Sequence, residues 1–281
     1  MEQATHVPTA LYQKPAYICQ LPDAVFPGLP LEEDAFFQGL QRYVEQELAQ
    51  QGLKVRLATT QDIPAVEEFT RQIYQGEQAT EISPYDLYRF LSFGHGVVLH
   101  DLEDRLRGCL FGVRYATPEQ PSYTVRLAVD PNWNGRKIGY HLIIRSCLQA
   151  RQSGALIKSG IIDFDNHTNL YINLNHIGWI ARDFDGYITA VGSCFDVCLP
   201  LTVGGMTRNA IDLKKVQQFL KEADPKLDYR ALPAHDLEGM HHLFRETDFK
   251  VVAFLPQGQP YDTPHFLALP SAELNYQALQ A

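Results

Sequence analysis

The chain has 281 residues, 45% hydrophobic and 20% charged, with a formal net charge of −9 at pH 7. That suits one large domain, or one domain with additions, and the core can be sizeable. The acidic balance argues against general nucleic-acid binding, which rests on neutralising phosphates; it fits an amine substrate weakly and a charge kept for solubility better.

In chain order, residues 1–30 carry Pro8, Pro15, Pro22, Pro27 and Pro30 and read as an extended arm on the surface of the main domain. Leu31–Gln51 reads as a helix. Leu40, Val44 and Leu48 recur at a spacing of four on one apolar face, and Gly52 is its C-cap. Lys54–Ala58 is a short strand. Thr60 or Asp62 caps the next helix, whose inner face carries Ile63, Val66, Phe69 and Ile73. Ser83-Pro84 opens another helix with a capping hydroxyl and Pro in the first turn. Its aromatic content (Tyr85, Tyr88, Phe93) suits a pocket wall or core packing equally.

Gly96–His100 and Arg107–Tyr115 form a hairpin, and Tyr123–Val129 is the third strand of the meander, ended by Asp130-Pro131. A Gly-bearing loop follows. Gly135–Gln152 is then a helix with Ile138, Leu142, Cys147 and Leu148 in its buried stripe. Ala155–Asp163 is a strand, Asn166–Ile177 a helix ending at Gly178, and Trp179–Phe184 and Phe195–Leu201 are strands. The order is α+β, with a mixed, mostly antiparallel sheet flanked by helices. The crossover through the helix from Gly135 is expected to be right-handed, and a slot opens where its two strands splay apart.

The stretch Tyr123–Leu142 is an anion-holding device: a strand feeds a loop whose backbone N–H groups sit at a helix N-terminus. The five cysteines (Cys19, Cys109, Cys147, Cys194, Cys198) lack metal-knuckle spacing and read as free thiols of a reducing cytoplasm. No apolar run approaches the ~20 residues of a membrane span, and no signal-peptide order opens the chain. A cytoplasmic location is therefore expected.

Residues 54–203 resemble the GCN5-related N-acetyltransferase (GNAT) superfamily. Three places carry the likeness: Val55–Pro64 as opening strand and helix, Leu127–Pro131 with Asn134–Gly139 as the acyl-CoA motif, and Asn166 through Gly178-Trp179 as the late helix. The family's loop pattern is Gln or Arg, two residues, Gly, any residue, then Gly or Ala. Asn134, Lys137 and Gly139 hold those positions, and only the last matches. The resemblance implies acetyl-CoA or another acyl-CoA as cosubstrate. It implies direct attack by an amine, with no metal and no covalent enzyme intermediate. It places Leu127, Val129, Asn134, Gly135, Arg136, Lys137, Ile138, Gly139, Tyr140, Asn166 and Asn169 on the cosubstrate, with surface capping an equal reading for Asn166. The Val129 backbone N–H becomes the donor to the thioester oxygen. The family's acid is a tyrosine four residues before the Gly, where this chain has Leu174. Tyr171, one turn earlier, is the candidate acid. His176, Asp130 and Glu77 are available as bases, or a water relay serves. His100 and His141 read as satisfied core histidines.

Three units are expected: 1–53, the arm and helix; 54–204, the GNAT-like acyltransferase domain; and 205–281, a C-terminal extension. In the last, Ile211–Ala223 and His235–Glu246 read as helices, and Phe249–Leu255 and Phe266–Leu269 as strands. His242–Pro256 parallels Asn169–Phe184, with Phe244 at the tyrosine position. A degenerate, non-catalytic half-copy of the GNAT-like domain is favoured over an insertion at residues 180–240. His235-Asp236 with His241-His242 invites a metal reading, but 241 and 242 face different sides of a helix, so no metal is expected.

The leading expectation is an acyl-CoA-dependent N-acyltransferase acting on a primary amine of a small-molecule or amino-acid-like acceptor. No nucleic-acid or membrane partner is expected, and a homodimer is left open. The alternatives are an acyltransferase using long-chain acyl-CoA or acyl carrier protein, and a non-catalytic acyl-CoA-binding or structural protein.

Overall fold

One helix is buried on nearly every side. In α5 (Ile138–Gln152), Ile138, the run His141–Leu148 and Ala150 are all buried. A helix buried all round has to be covered on both sides. The computed structural model, which describes residues 11–74, 83–113, 121–188, 192–222, 228–258 and 261–277, shows how. The sheet covers one side of α5. On the other lies α2 (Glu33–Ala49), which buries Phe36, Leu40, Val44 and Leu48 in the same core as Leu142, Ile144 and Leu148.

The chain enters as β1 (Leu11–Gln13) and α1 (Pro22–Val25), then α2, β2 (Lys54–Leu57), α3 (Ile63–Ile73) and α4 (Pro84–Phe93). The meander is β3 (Gly94–His100), β4 (Leu106–Val113) and β5 (Ser122–Val129). After α5 come β6 (Ile157–Asp163), α6 (His167–Tyr171), β7 (Ile180–Ile188), β8 (Gly192–Pro200), α7 (Val203–Arg208) and α8 (Leu213–Glu222). The chain closes with β9 (Arg230–Pro233), α9 (Leu237–Glu246), β10 (Phe249–Leu255), β11 (His265–Pro270) and β12 (Asn275–Gln277).

Ten strands form one sheet in the order β2-β3-β4-β5-β6-β8-β7-β10-β11-β9, and β1 pairs with β12 apart from it. Every registered pair is antiparallel except β5 with β6. Helices α3 and α4 cover the other face of the meander, packing Val66, Phe69 and Leu87 on Val98, Cys109, Phe111 and Ala128. No described helix is long and apolar enough to cross a membrane.

The α+β reading and the element order hold, with local differences. The arm does not merely lie on the surface: Lys14, Ile18 and Cys19 are buried, and Cys19 bridges Ile211. Lys14 also donates from Nζ to the Leu174 carbonyl at 2.5 Å. Asp62 holds the N-cap position of α3 but makes no side-chain cap bond there; its carboxylate instead closes a reciprocal box with Thr59 at the turn before the helix. Helix α5 starts at Ile138, because Gly135 and Lys137 are both left-handed, at φ 78° and 59°. His141 is buried but not satisfied: neither ring nitrogen has a hydrogen-bond partner among the described residues. Strand β9 and helix α7 carried no strong sequence signal.

The strands β6-β8-β7 are followed in the sheet by β10-β11-β9. Each trio is made by a strand, a capped helix and a hairpin: Asn166 caps with its side chain on Asn169 N, Asp236 on Gly239 N. At the junction only Val251 and Ala181 are in register. Asn175 fills in beside it, donating from Nδ2 to Phe254 O at 2.6 Å and accepting from Phe254 N at 2.9 Å.

Beneath the parallel pair lies a buried polar cluster. Lys158 Nζ is 3.0 Å from His95 Nε2 and 3.2 Å from Ser122 Oγ, and His95 Nε2 is 2.8 Å from Ser146 Oγ. Burial, with no carboxylate in the cluster, lowers the Lys158 pKa to about 7; Lys14 is lowered to about 7 for the same reason. In the unfolded chain both lysines hold their protons until about pH 10.4. Above pH 7 the unfolded state therefore binds more protons, and these groups make stability rise with pH. The slope is on the order of 1 kcal/mol per pH unit per lysine at most. The window closes above about pH 8, where thiols exposed by unfolding begin to ionise and oppose the trend. Stability measured by urea melts is expected to rise from pH 7 to 8 and to rise less in Lys158→Met; an unchanged slope in that variant would exclude the lysine.

Candidate active site

Strands β5 and β6 are in register only over Ser122–Thr124 and Lys158–Gly160. Beyond that they part. The break coincides with a bulge in β5, where the register to β4 shifts between Arg126 and Thr124. A bulge adds one residue, bends its strand and increases local twist. Its cause is legible in the cluster below: Ser122 is turned to Lys158, whereas Leu127 and Val129 pack against the α5 core.

The hydrogen-bond alternation then decides what faces the gap. Asp130 N donates to Arg107 O at 2.9 Å, so Arg107 and Asp130 are a bonded pair. In antiparallel strands such pairs alternate with unbonded ones. Gly108–Val129 and Leu110–Leu127 are therefore unbonded pairs, and the backbone groups of Leu127 and Val129 point away from β4, into the slot. An independent contact agrees: Tyr74 Oη donates to the Leu127 carbonyl at 2.7 Å.

The loop at the slot's open end is built from its first residue. Asp130 Oδ1 accepts from Asn132 N and Nδ2 at 2.9 and 3.0 Å, and Oδ2 from Arg107 at 2.6 Å. Those bonds hold the Asp130 pKa below the usual carboxylate range against the opposing effect of desolvation, which makes it a poor base. The Arg136 guanidinium lies 4.6 Å from the Trp133 ring centroid. The first helical bond of α5 is His141 N to Lys137 O, at 3.0 Å. The N–H groups of Ile138, Gly139 and Tyr140 precede it and are the unpaired donors of a helix start. Asn134, Gly135, Arg136 and Lys137 are exposed, so the cradle is open to solvent.

Lys137 stands where the family has glycine and adopts the conformation that glycine favours, φ 59° and ψ 19°. The chain keeps the loop geometry at a cost of about 1 kcal/mol or more. Lys137→Gly is expected to stabilise the fold by about 1 kcal/mol in a thermal melt. A lower melting temperature would contradict the strain. A Cβ on Gly139 would sit 3.8 Å from Leu127 Cδ2 and 3.9 Å from Val129 Cγ2, ordinary contacts, so the protein itself does not demand glycine there.

The late helix is less regular than its spacing predicts. After α6 the chain makes a π-helical turn, Ile172–Ile177, ended by Gly178 at φ 91°. Single π turns are frequent at functional sites. Leu174, at the family's tyrosine position, is buried. The Tyr171 ring packs against His176 at 4.9 Å and Phe254 of β10 at 6.4 Å. Asn166 is spent as the helix cap, and Asn169 Oδ1 accepts from Asn173 at 2.7 Å. Burial, then the charge of Lys137, lowers the pKa of His176. Burial and Lys137 likewise lower His141, to about 4. Glu77 lies outside the described residues. His242 pairs with Glu246 at 3.1 Å, and among the described residues no group of three potential ligands could hold a metal ion.

On the sheet face opposite α5, Val125 and Ile161 are 42% and 45% exposed, one on each strand bordering the slot. Beside them Arg182 bonds Asp196 at 2.8 Å and Tyr123 Oη at 3.0 Å. Burial raises the Asp196 pKa despite its arginine partner. Arg126, Tyr74 and this ion pair were not marked as site residues by the sequence. The only trace was the broken alternation in Thr124–Val129.

The element order, the lone parallel pair and the splay after it are those the resemblance implied. This is a GNAT fold. No family model matches the sequence, and no curated protein matches it. Among solved structures, a chain of the NatC complex bound to Gag peptide and CoA is 16% identical, with a TM-score of 0.47. That match covers 53% of this chain and 99% of the other. The ribosomal-protein-S18-alanine N-acetyltransferase from Escherichia coli is 14% identical, with a TM-score of 0.42, over 53% of this chain and 94% of the other. A spermidine N-acetyltransferase chimera from Vibrio cholerae and hSSAT is 11% identical, with a TM-score of 0.45, over 53% and 96%.

Proposed function

We propose that the GNAT-fold unit is an acyl-CoA-dependent N-acyltransferase, most simply an acetyltransferase, that acts on a primary amine of a small-molecule or amino-acid-like acceptor. The observation that carries this is the slot itself. Its edge presents the Val129 N–H, and its open end meets the unpaired N–H groups at the start of α5. The CoA pyrophosphate lies on Gly135–Tyr140, with Arg136 and Lys137 adding charge. The pantetheine arm runs along Leu127–Val129. The thioester oxygen takes the Val129 N–H, where negative charge develops as the amine attacks. The amine approaches from the face exposed at Val125 and Ile161. On the same reading, residues 205–281 are a C-terminal extension that holds a degenerate half-copy, whose β10 lies beside β7.

The test is thiol release from acetyl-CoA over a panel of primary amines, with CoA binding followed in parallel by calorimetry. Stoichiometric CoA binding with amine-dependent thiol release is the expected result. No CoA binding would sink the proposal. Binding without release over the whole panel would instead favour a non-catalytic acyl-CoA-binding protein.

A further inference from the structure

The acyl-CoA reading of the slot leaves one group without a source: the proton that the departing thiolate must gain. Leu174 has no hydroxyl and is buried, and the Tyr171 ring packs between His176 and Phe254, at 4.9 and 6.4 Å. A different tyrosine reaches the slot from the opposite side. Tyr74, at the C-terminal end of α3, places its Oη 2.7 Å from the Leu127 carbonyl. That carbonyl and the Val129 N–H lie on the same strand edge, less than two residue rises or ~7 Å apart. A thioester whose oxygen rests on Val129 N–H has its sulfur within reach of that hydroxyl.

The surroundings suit an acid. The Arg126 guanidinium lies 4.8 Å from the Tyr74 ring centroid. Arg126 is half-buried, and its Nε is shielded from solvent without a hydrogen-bond partner among the described residues. A cation over the ring face attracts the negative charge that proton donation would leave on the phenol. We propose that Tyr74 is a catalytic residue that protonates the leaving CoA thiolate, a reading that rests on the acyl-CoA assignment of the slot.

The step balances. The amine nitrogen attacks the thioester carbonyl carbon and a C–N bond forms. The C–S bond breaks, with its electron pair going to sulfur. Sulfur takes the Tyr74 proton, and the phenolate is reprotonated by the proton the amine nitrogen loses, directly or through water. The products are amide and CoA thiol.

The probe acceptor is hydroxylamine, a small amine unprotonated at neutral pH that needs no base. A loss of rate then reads the acid alone. With the full chain, acetyl-CoA and hydroxylamine, Tyr74→Phe is expected to lower kcat about 100-fold or more. CoA affinity should stay within about threefold, and the loss of kcat should be larger than in Tyr171→Phe. Full kcat in Tyr74→Phe with CoA binding intact would overturn the proposal, as would the same loss appearing in Tyr171→Phe instead. Tighter CoA binding with no loss of kcat would show the hydroxyl merely competing for the Leu127 carbonyl. Fluorotyrosine at position 74 keeps the ring and acidifies the phenol. It is expected to move the alkaline limb of the kcat profile to lower pH, and an unmoved limb would reject the role even if the Phe variant folds poorly. A wild-type chain that neither binds CoA nor releases thiol would fail the acyl-CoA reading itself, a result separate from any Tyr74 effect.

Discussion

Val129→Pro is expected to lower the rate of acyl transfer by ~10²–10³-fold while CoA affinity and folding survive. The substitution removes one N–H that no rung of the sheet uses, and it trades the valine side chain on the α5 core for a proline ring of similar size. Gly108 and Val129 face each other as an unbonded pair, so no rung of the β4–β5 ladder depends on that donor. Proline is tolerated on a strand where its missing N–H faces an open edge. On the proposed reading the lost group is the one aimed where the tetrahedral oxygen gathers charge, so the effect belongs in kcat and not in the affinity for CoA. Single-turnover kinetics with a CoA titration separate the two. A proline variant that binds CoA and turns over at the wild-type rate would move the oxyanion donor elsewhere.

Gly178→Ala is expected to cost about 3 kcal/mol or more of stability, from a left-handed backbone and an overpacked contact together. Gly178 sits at φ 91°, and a Cβ there would lie 2.5 Å from the Asn209 backbone carbon and 2.5 Å from its Cβ. Asn209 cannot step aside cheaply. It is fully buried, and its Oδ1 accepts from the Lys14 backbone N–H at 2.9 Å. The glycine also closes the π turn, since Gly178 N and Trp179 N both donate to Asn173 O, at 3.0 and 2.8 Å. A fall in Tm on the order of 10 °C is the expected reading by calorimetry. A shift of a degree or two would mean that the 209 segment yields, and that the arm is held less firmly than its burial indicates.

These two sites show how unevenly the sequence reveals its structure. Gly178-Trp179 was legible because a left-handed helix end calls for glycine. The period-four stripe of α2 and the apolar run of α5 were legible because burial sets their pattern. Lys137 was misleading. Its side chain argued against the family loop, yet its backbone takes the left-handed conformation anyway, at φ 59°. Propensity is a weak prior, and here the surrounding loop overrides it.

The rest was hidden for physical reasons. Tyr74 meets Leu127, which lies 53 positions away in the chain, and no local spacing encodes that contact. The bulge that redirects β5 follows from a buried cluster of Ser122, Lys158, His95 and Ser146, drawn from four elements. The arm carried five prolines and read as surface, but a single ammonium on the Leu174 carbonyl and a buried Ile18 tie it into the core. The helix propensity of Asn166–Ile177 likewise could not show that its last turn widens to a π turn.

The most direct test of the central claim is hydrogen–deuterium exchange of the wild-type chain with and without CoA. Slowed exchange confined to Leu127–Val129 and Gly135–Tyr140 is expected, because the first segment lines the slot and the second is proposed to hold the pyrophosphate. Unchanged exchange in both segments at saturating CoA, or protection only elsewhere on the chain, would contradict an acyl-CoA site between β5 and β6.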